Sequence, residues 1–220
     1  MNKQKIYFIS GLGANEKAFA KLADFGKPKV MVKWLANEKN ETLENYANRL
    51  IEKYSITQQD ILVGLSFGGL LAQQIAHTLQ INEVILISSF RTKKDLRTYL
   101  KLGLNLKLHK LIPPFNIPII STIVVGFLNS VSKESTPLLK NMLKETDYKL
   151  AKWSIEKISE RKTVINSELK LYNIIGLNDR IMKPWQNEST FKIDGGSHFM
   201  VYDESVKVSE IIQKIVSEGF

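Results

Sequence analysis

The sequence between residues 61 and 79 reads ILVGLSFGGLLAQQIAHTL, and this stretch decides the fold. The apolar run Ile61–Val63 predicts a buried strand, and the stretch from Leu70 to Leu79 predicts a helix. Ser66 lies between them in the pattern Gly-x-Ser-x-Gly. A serine at a tight turn from strand to helix exposes its hydroxyl next to backbone N–H groups, so Ser66 is a candidate nucleophile. The flanking glycines suit a turn that is too crowded for a Cβ atom.

The rest of the chain alternates between short apolar runs and helical stretches. The predicted strands are Lys5–Ser10, Val30–Leu35, Asp60–Leu65, Glu83–Ser88, Leu169–Ile175 and Ser189–Ile193. The predicted helices are Asn15–Asp24, Thr42–Tyr54, Gly68–Leu79 and Ser205–Ser217, with Thr42 as an N-cap. Continuous apolar runs are typical of strands that are covered on both faces. The alternation therefore predicts an α/β fold, with a mainly parallel sheet of about six strands and helices on both faces.

This alternation stops after Ser89. Residues 91–168 are predicted to be helical, with breaks at Pro113–Pro118 and near Ser135–Pro137. A helical insertion after the carboxyl end of a strand lies where ligands bind in open α/β sheets. We therefore expect residues 1–90 and 169–220 to form the core, and residues 91–168 to form a helical cap or lid over a site. The alternative is an appendage that only covers an edge of the sheet.

Composition narrows the classes of protein to be considered. A chain of 220 residues that is 44% hydrophobic can bury the core of one globular domain. The absence of cysteine excludes disulfides, a thiolate nucleophile and Cys-ligated metals, and no cofactor or metal is expected. The amino terminus does not read as a signal peptide, which predicts a cytoplasmic enzyme. The prolines within the hydrophobic stretch Leu111–Leu128 argue against a membrane-spanning helix.

The positive charge of the chain is concentrated in one region. The net charge is +9, and residues 91–168 hold 15 Lys and Arg against 7 Asp and Glu. One interpretation is a solvated helix surface. Another is a basic surface that favours anionic or amphipathic ligands, with weak association with an anionic membrane surface through the amphipathic stretch Arg91–Lys110. Nucleic acid is not expected as a partner, because no stacking-aromatic pattern accompanies the charge.

A nucleophilic serine needs a base, and the chain has three histidines. His77 lies within the helix that follows Ser66, where it faces solvent or packs. His109 lies in a basic stretch and reads as a surface residue. His198 follows a predicted strand and the flexible sequence Asp194-Gly195-Gly196-Ser197, so it can reach over a neighbouring strand end. His198 is the predicted base.

The base needs a carboxylate to orient it, and Asp179 is the best candidate. It follows a predicted strand through Gly176-Leu177-Asn178, where its carboxylate could bond the far ring nitrogen of His198. The alternative is a residue that only closes an Asx-turn. Asp95 and Asp194 are weaker candidates, the first in the charged insertion and the second at a strand end.

Three segments, in chain order, carry a resemblance to a known family: Gly64–Gly68, Gly176–Pro184 and Gly195–Met200. They resemble the α/β-hydrolase superfamily, and specifically its small bacterial members with a helical cap. The order Ser, Asp, His is that of the family. The resemblance implies that Ser66 is the nucleophile, Asp179 the orienting acid and His198 the base. It also implies an oxyanion hole formed by the amides of Phe67 and Leu12.

The chain departs from this family in three places. It carries Ser10-Gly11 where many relatives carry His-Gly, which leaves the orientation of that loop open. Its first strand is predicted to start almost at Met1, so we expect the usual amino-terminal hairpin to be absent. Residues 180–188 are short for a parallel crossover, which predicts either a one-turn helix or shifted strand boundaries.

The predicted function is hydrolysis of a small-molecule carboxylic ester or thioester with a hydrophobic acyl group, through an acyl-enzyme on Ser66. Residues 113–128 would line an apolar pocket if they fold inward. Four further side chains would complete its wall or form a core within the cap: Met142, Leu143, Leu150 and Trp153. The alternative is a protein of the same fold that binds a ligand or a lipid surface without hydrolysis. Peptide-bond cleavage, the oligomeric state and the identity of the substrate stay open.

Overall fold

A computed structural model describes residues 4–111, 118–128, 132–161 and 168–219. Its strands form one parallel sheet in the order β2-β1-β3-β4-β5-β6. The strands are β1 Ile6–Ile9, β2 Lys29–Val32, β3 Ile61–Leu65, β4 Glu83–Ile87, β5 Lys170–Gly176 and β6 Thr190–Ile193. The predicted six-stranded parallel α/β fold is confirmed. In a parallel sheet all carboxyl ends meet at one edge, so this edge brings distant parts of the chain together.

Helices cover both faces of the sheet. They are α1 Leu43–Tyr54, α2 Phe67–Leu79, α3 Thr98–Asn105, α4 Pro118–Leu128, α5 Ser135–Glu145, α6 Tyr148–Glu160, α7 Met200–Asp203 and α8 Ser205–Gly219. One buried hydrophobic cluster lies between the sheet and helices α1 and α2. The other lies on the opposite face, beneath α7 and α8. Thr42 caps α1 as predicted, its side chain accepting a hydrogen bond from the Asn45 N–H.

The turn from β3 into α2 depends on two glycines. A Cβ atom at Gly64 would lie 2.3 Å from the Cα atom of Gly69, and one at Gly68 would lie 2.2 Å from the carbonyl oxygen of Ile9. Neither contact can be relieved by rotating a side chain, because the opposing atoms are backbone. The sequence pattern around Ser66 therefore follows from close packing of α2 against β1 and β3.

The strand predicted at Val30–Leu35 ends early, at Val32, because tyrosine hydroxyls replace the sheet as hydrogen-bond partners. The Lys33 N–H donates to the hydroxyl of Tyr54 over 2.8 Å. The hydroxyl of Tyr46 accepts from the Leu35 N–H over 2.8 Å and donates to the Leu35 carbonyl over 2.9 Å. These bonds satisfy the backbone while the chain turns away from the sheet edge.

The helix predicted at Asn15–Asp24 is wrong, since only a 3-10 turn forms at Glu16–Phe19. The rings of Phe19 and Phe25 both pack on Phe8, with centroids 5.2 Å and 6.1 Å away. Six residues along an α-helix point about 120° apart around its axis and lie about 9 Å apart along it, so a helix continued through residue 24 would not bring Phe25 to the same ring as Phe19. Tertiary packing has overridden the local helical pattern.

The connection between β5 and β6 contains no helix, so the one-turn helix considered for residues 180–188 is also wrong. Instead, the loop makes a short antiparallel bridge between Leu96 and Met182. Two backbone hydrogen bonds flank the bridge, from Arg97 N–H to the Ile181 carbonyl over 2.9 Å and from Lys183 N–H to the Asp95 carbonyl over 2.7 Å. The segment after β4 therefore supports a loop that has no helix of its own.

Helices α3 to α6 lie between β4 and β5, within the segment predicted to be helical. The single amphipathic helix expected over Arg91–Lys110 is instead a 3-10 turn at Lys93–Asp95, then α3, then a 3-10 turn at Leu108–Leu111. The break predicted near Ser135–Pro137 lies just before Ser135, where α5 begins, and Pro137 is in the first turn of that helix, where a missing N–H is tolerated. The break predicted at Pro113–Pro118 lies outside the described residues, except for Pro118, where α4 begins. Among the described residues, no helix combines the length and the hydrophobicity needed to cross a membrane.

Candidate active site

Ser66 has an unusual backbone conformation, with φ 51° and ψ −119°. Few residues with a Cβ adopt this region, and the surrounding bonds hold Ser66 in it. Its N–H donates to the Ile87 carbonyl over 2.9 Å, and its carbonyl accepts from the Ser89 hydroxyl over 2.7 Å. The side chain of Ser66 is thereby turned out of the sheet at the carboxyl edge.

The structure brings three of the predicted site residues within hydrogen-bonding distance at this edge. The Nε2 atom of His198 lies 3.1 Å from the Oγ atom of Ser66. The Nδ1 atom of His198 lies 2.8 Å from the Oδ2 atom of Asp179. His198 is 4% exposed and Asp179 is 1% exposed, so little solvent reaches either side chain. The three side chains form one continuous hydrogen-bonded chain from hydroxyl to carboxylate.

Asp179 has one oxygen for His198 and one for its own loop. Its Oδ1 atom accepts from the N–H groups of Ile181 and Met182, over 2.7 Å and 2.9 Å. The Asx-turn and the histidine partner, which the sequence left as alternatives, are therefore both present. Burial alone would raise the pKa of Asp179, but the charge of His198, its hydrogen bond and the two backbone N–H groups together hold that pKa below the ordinary value of 3.8.

Arg97 holds the same loop from the other side, and sequence reasoning missed it. Its Nε and Nη2 atoms donate to the carbonyl oxygen of Asp179 over 3.2 Å and 2.7 Å. The hydroxyl of Tyr99 also donates to the carbonyl of Arg180. Arg97 is one of several cations in a basic stretch, and its partner lies 82 positions away in the chain. No local sequence pattern therefore indicates this role.

The loop that carries His198 packs directly on the end of β5. A Cβ atom at Gly176 would lie 2.1 Å from the carbonyl oxygen of Gly196. The Asn178 N–H also donates to the Gly196 carbonyl over 2.9 Å. This close approach of two backbones sets the distance between Asp179 and His198, so the glycines on both sides belong to the geometry of the site.

The turn after β1 lies beside Ser66, and Ser10 fixes its shape. The Ser10 hydroxyl donates to the Ala14 carbonyl over 3.0 Å, and the indole N–H of Trp34 donates to the Ser10 Oγ atom over 2.9 Å. A Cβ atom at Gly11 would lie 3.0 Å from the Cβ atom of Ser66, so the turn and the serine are in contact. Ser10, which stands where many relatives carry histidine, therefore stabilises the loop through these two hydrogen bonds.

Leu12 and Phe67, the residues predicted to supply oxyanion-hole amides, lie next to Ser66. Phe67 opens α2, and Ser66 provides no side-chain cap for this helix. The first N–H groups of α2 therefore lack a side-chain cap, at a helix end that carries partial positive charge. Leu12 lines the same cavity as Phe67 and Ser66.

A cavity of about 370 Å³ opens above these side chains. Its wall is almost entirely apolar and comes largely from the segment between β4 and β5. The lining residues include Leu100, Leu104, Val124, Leu128, Leu139, Leu143 and Ile158, together with Leu12, Ser66, Phe67, His198 and Phe199. Its size falls in the range of small-molecule pockets. Of the residues predicted for this wall, Leu143 lies in it, together with Val124 and Leu128 from the predicted stretch 113–128.

Three other predicted wall residues lie elsewhere. Met142 and Leu150 line a second cavity, of about 290 Å³, on the outer side of the turn after β1. The buried ring of Trp153 contacts Tyr46 and Phe67, and its indole N–H donates to the Glu41 carbonyl over 2.8 Å. Trp153 therefore anchors α6 to the core. Leu12 and Ala14 line both cavities, so the two are separated by this one turn.

The rival candidates lie outside this arrangement. His77 is exposed on α2, and His109 has a side chain outside the described part of the structure. Asp95 accepts hydrogen bonds from the N–H groups of Arg91 and Thr92, and Asp194 is exposed at the end of β6. Across the described ranges, no three His, Asp or Glu side chains are grouped as ligands for a metal ion.

Comparison with known proteins gives a family and a fold. Residues 30–219 match a family described as "Alpha/beta hydrolase of unknown function (DUF1057)". No curated protein sequence is significantly similar to this chain.

Solved structures of similar fold cover nearly the whole chain at low sequence identity. The N-acyl homoserine lactonase AidH, in complex with N-butanoyl homoserine, has a TM-score of 0.73 at 11% identity, covering 97% of this chain and 88% of its own. The esterase EaEST from Exiguobacterium antarcticum has a TM-score of 0.70 at 15% identity, covering 98% and 92%. MenH from S. aureus has a TM-score of 0.72 at 16% identity, covering 98% and 94%.

Proposed function

The chain belongs to this family of α/β hydrolases, and we propose that it is a serine hydrolase of carboxylic esters or thioesters with a hydrophobic acyl group. The observation that carries the proposal is the hydrogen-bonded chain from Asp179 through His198 to Ser66. A hydroxyl is a weak nucleophile at neutral pH, and an adjacent oriented imidazole is what activates it.

In the first half of the proposed reaction, the Oγ atom of Ser66 attacks the carbonyl carbon of the substrate while its proton passes to Nε2 of His198. The imidazolium that forms is stabilised by the carboxylate of Asp179 on Nδ1. The tetrahedral intermediate then collapses, the bond to the alcohol or thiol breaks, and His198 gives its proton to the leaving group. The acyl group stays on Ser66 as an ester.

In the second half, a water molecule takes the place of the leaving group. His198 accepts a proton from this water as its oxygen attacks the acyl-Ser66 carbonyl carbon. Collapse of the second intermediate breaks the bond to Oγ, and the proton on His198 returns to Ser66. The carboxylic acid leaves, and the site regains its starting protonation.

The negative charge that develops on the carbonyl oxygen needs donors that are already in place. We assign this role to the backbone N–H groups of Phe67 and Leu12. Phe67 begins α2, whose partial positive charge favours an oxyanion. The hydrogen bonds from Trp34 to Ser10 and from Ser10 to Ala14 keep the turn that carries Leu12 in one conformation.

The acyl group is assigned to the apolar cavity, and residues 91–168 are assigned the role of a cap over it. An apolar chain gains free energy by leaving water for walls such as Leu104, Val124 and Leu143, at roughly 25 cal/mol for each Å² buried.

A purely ligand-binding role explains less of the structure. A receptor gains nothing from an imidazole that contacts both a serine hydroxyl and a buried carboxylate, nor from a serine held at a positive φ. The cavity alone fits both roles, so the distinction rests on the polar side chains.

Labelling with a fluorophosphonate probe tests the proposal directly. We expect the wild-type chain to be labelled and Ser66→Ala to be unlabelled. Ser217→Ala is the matched control, because it removes an exposed hydroxyl on α8 that makes no contact with the hydrogen-bonded chain, and it should still be labelled. Labelling that persists in Ser66→Ala would overturn the assignment of the nucleophile.

A panel of p-nitrophenyl esters with increasing acyl length tests the substrate class. We expect kcat/KM to rise from acetyl to medium-length chains, because each added methylene is buried against apolar walls. A strict preference for acetyl would contradict the assignment of the acyl group to this cavity.

A further inference from the structure

Most of the strongly exposed hydrophobic side chains among the described residues lie in one segment of the chain. Of the ten large ones found among the described residues, eight lie between positions 99 and 127. They are Tyr99, Leu102, Leu106, Leu108, Leu111, Ile119, Ile123 and Phe127. Scattered exposed apolar residues are normal, but a group of this size indicates an interaction surface.

Helix α4 is apolar on both sides. Ile120, Val124 and Leu128 face inward and pack against the core cluster. Ile119, Ile123 and Phe127, spaced four residues apart, are exposed by 67%, 50% and 45%. The helix has the sequence PIISTIVVGFL, without a charged residue. A helix that is apolar all round needs an apolar environment on its outer side too.

Helix α3 continues this surface. Leu100 and Leu104 line the cavity, whereas Leu102 and Leu106 point outward and are mostly exposed. The rings of Tyr99 and Phe127 lie 6.2 Å apart, which joins the two helices. We call the following residues the outer face: Tyr99, Leu102, Leu106, Ile119, Ile123 and Phe127.

The stretch of sequence that carries the outer face holds charges of only one sign. No Asp or Glu occurs between residues 96 and 133, whereas this stretch holds five Lys and Arg residues. Lys101 lies on α3 and is half-buried, and Lys107, which follows that helix, is exposed. The side chain of Arg180 donates a hydrogen bond to the Gly126 carbonyl of α4 over 3.2 Å. Cations around an apolar surface fit anionic lipid headgroups over acyl chains.

We propose that the outer face docks on the surface of an anionic lipid bilayer. Ile119, Ile123 and Phe127 enter the boundary between headgroups and acyl chains, and Lys101, Lys107 and Arg180 contact the headgroups. A second copy of this chain is the weaker candidate for this surface, because it would bring the same cations against each other.

Docking in this orientation connects the bilayer to the cavity. Tyr99 belongs to the outer face and also lines the cavity, so this docking places the cavity beside the bilayer, and a lipid-dissolved ester would enter without crossing bulk water. This last step rests on the proposed hydrolase function, whereas the docking does not. Ser66→Ala should therefore bind vesicles as the wild type does, and the two proposals can fail separately.

Flotation with vesicles tests the docking. We expect the wild-type chain to float with phosphatidylcholine vesicles that contain phosphatidylglycerol, and to float less with phosphatidylcholine alone or at high salt. Ile119→Gln combined with Ile123→Gln should lower the partition coefficient at least about tenfold, because two apolar contacts with the membrane are lost. Val206→Gln is the matched control, since Val206 is 70% exposed on α8, and it should leave partition unchanged.

The charge contribution has its own pair of variants. Lys101→Glu combined with Lys107→Glu should lower partition onto the anionic vesicles at least about tenfold. Lys53→Glu combined with Lys214→Glu makes the same change in net charge outside the outer face and should cause a much smaller loss. Equal losses in the two pairs would overturn the assigned surface, as would unchanged flotation of the Ile119 and Ile123 variant. A dimer in sedimentation equilibrium that this variant dissociates would assign the outer face to a second copy instead.

Discussion

Helices α2 and α3 both line the same cavity, but they are held in opposite ways. In α2, ten of thirteen residues are buried, from Phe67 to Ala76. In α3, none of the eight residues is fully buried. The helix beneath the cavity is therefore part of the core, whereas the helix above it contacts the rest of the protein on one side only.

This difference separates the chemistry of the proposed reaction from the choice of substrate. Ser66, Asp179 and His198 follow strand ends and are fixed by backbone packing at the edge of the sheet. The apolar walls that would select the acyl group come from elements with few buried residues, which open at lower free energy. Changes below the cavity should act on every substrate alike, and changes above it should act on some substrates more than on others.

The largest effect should come from below the cavity. His198→Ala should lower kcat about a thousandfold or more for every ester tested, because Ser66 loses the group that accepts its proton. The ratio of kcat/KM between short and medium acyl chains should stay as in the wild type. Steady-state kinetics on the ester panel measures both quantities, and a loss confined to one chain length would contradict the separation.

Two glycine substitutions compare the stability of the regions directly. Gly64→Ala should lower the free energy of unfolding by more than about 3 kcal/mol, because its Cβ would meet the backbone of Gly69. Gly103→Ala, in α3, should raise it by about 0.5–1 kcal/mol, since no atom lies within 4 Å of that Cβ and alanine favours a helix. Urea denaturation measures both changes. Effects of the same sign would mean that the two regions are packed alike.

Arg97 crosses from one region to the other and is expected to act as a positioning residue. Arg97→Met should lower kcat about tenfold with little change in KM for a short ester, because the Asp179 loop loses two donors to its carbonyl. Replacement by lysine should restore part of kcat by returning one donor. A structural role alone would instead lower stability and leave kcat per folded molecule unchanged, which active-site titration would detect.

The carboxyl of Asp179 should also give a pH signature in stability. Its pKa is lower in the folded chain than in the unfolded one, so its stabilising contribution is complete above the unfolded value and is lost as the pH falls through the folded value. Asp179→Asn should therefore differ most from the wild type at neutral pH, and the difference should shrink below about pH 4. Denaturant unfolding from pH 7 to pH 3 measures this. A difference that grows on acidification would contradict the lowered pKa.

The smallest effect should come from above the cavity. Val124→Ala, on the inner side of α4, should change the ratio of kcat/KM for medium and short acyl chains by about threefold to tenfold. Ile123→Ala, one residue away on the outer face, should leave that ratio unchanged for water-soluble esters. If both variants change the ratio equally, α4 does not separate the cavity from the surface in solution.

The sequence predicted the fold and the three polar residues because both follow from local patterns. Buried parallel strands are continuous apolar runs, and a serine between glycines at a strand end needs the strained turn that the structure has. The order of Ser66, Asp179 and His198 along the chain then indicated the family. These signals are strong where backbone packs on backbone, since only glycine fits there.

Long-range contacts could not be predicted in this way. The bond from Arg97 to the Asp179 carbonyl joins side chain to backbone and leaves no pattern in the sequence. The helical pattern at residues 15–24 was outweighed by the packing of Phe19 and Phe25 on Phe8. The inward and outward sides of α4 could not be separated either, because both are apolar and only the folded chain shows which one faces the cavity.

The bridge between Leu96 and Met182, with Arg97 beside it, has a consequence for engineering. Exchanging the whole stretch between β4 and β5 for that of a homologue would remove the support of the Asp179 loop along with the pocket wall. A graft intended to alter substrate range should therefore be spliced after position 99, leaving residues 91–99 as native scaffold. Chimaeras joined upstream of that point are expected to fold yet turn over slowly, whatever pocket they import.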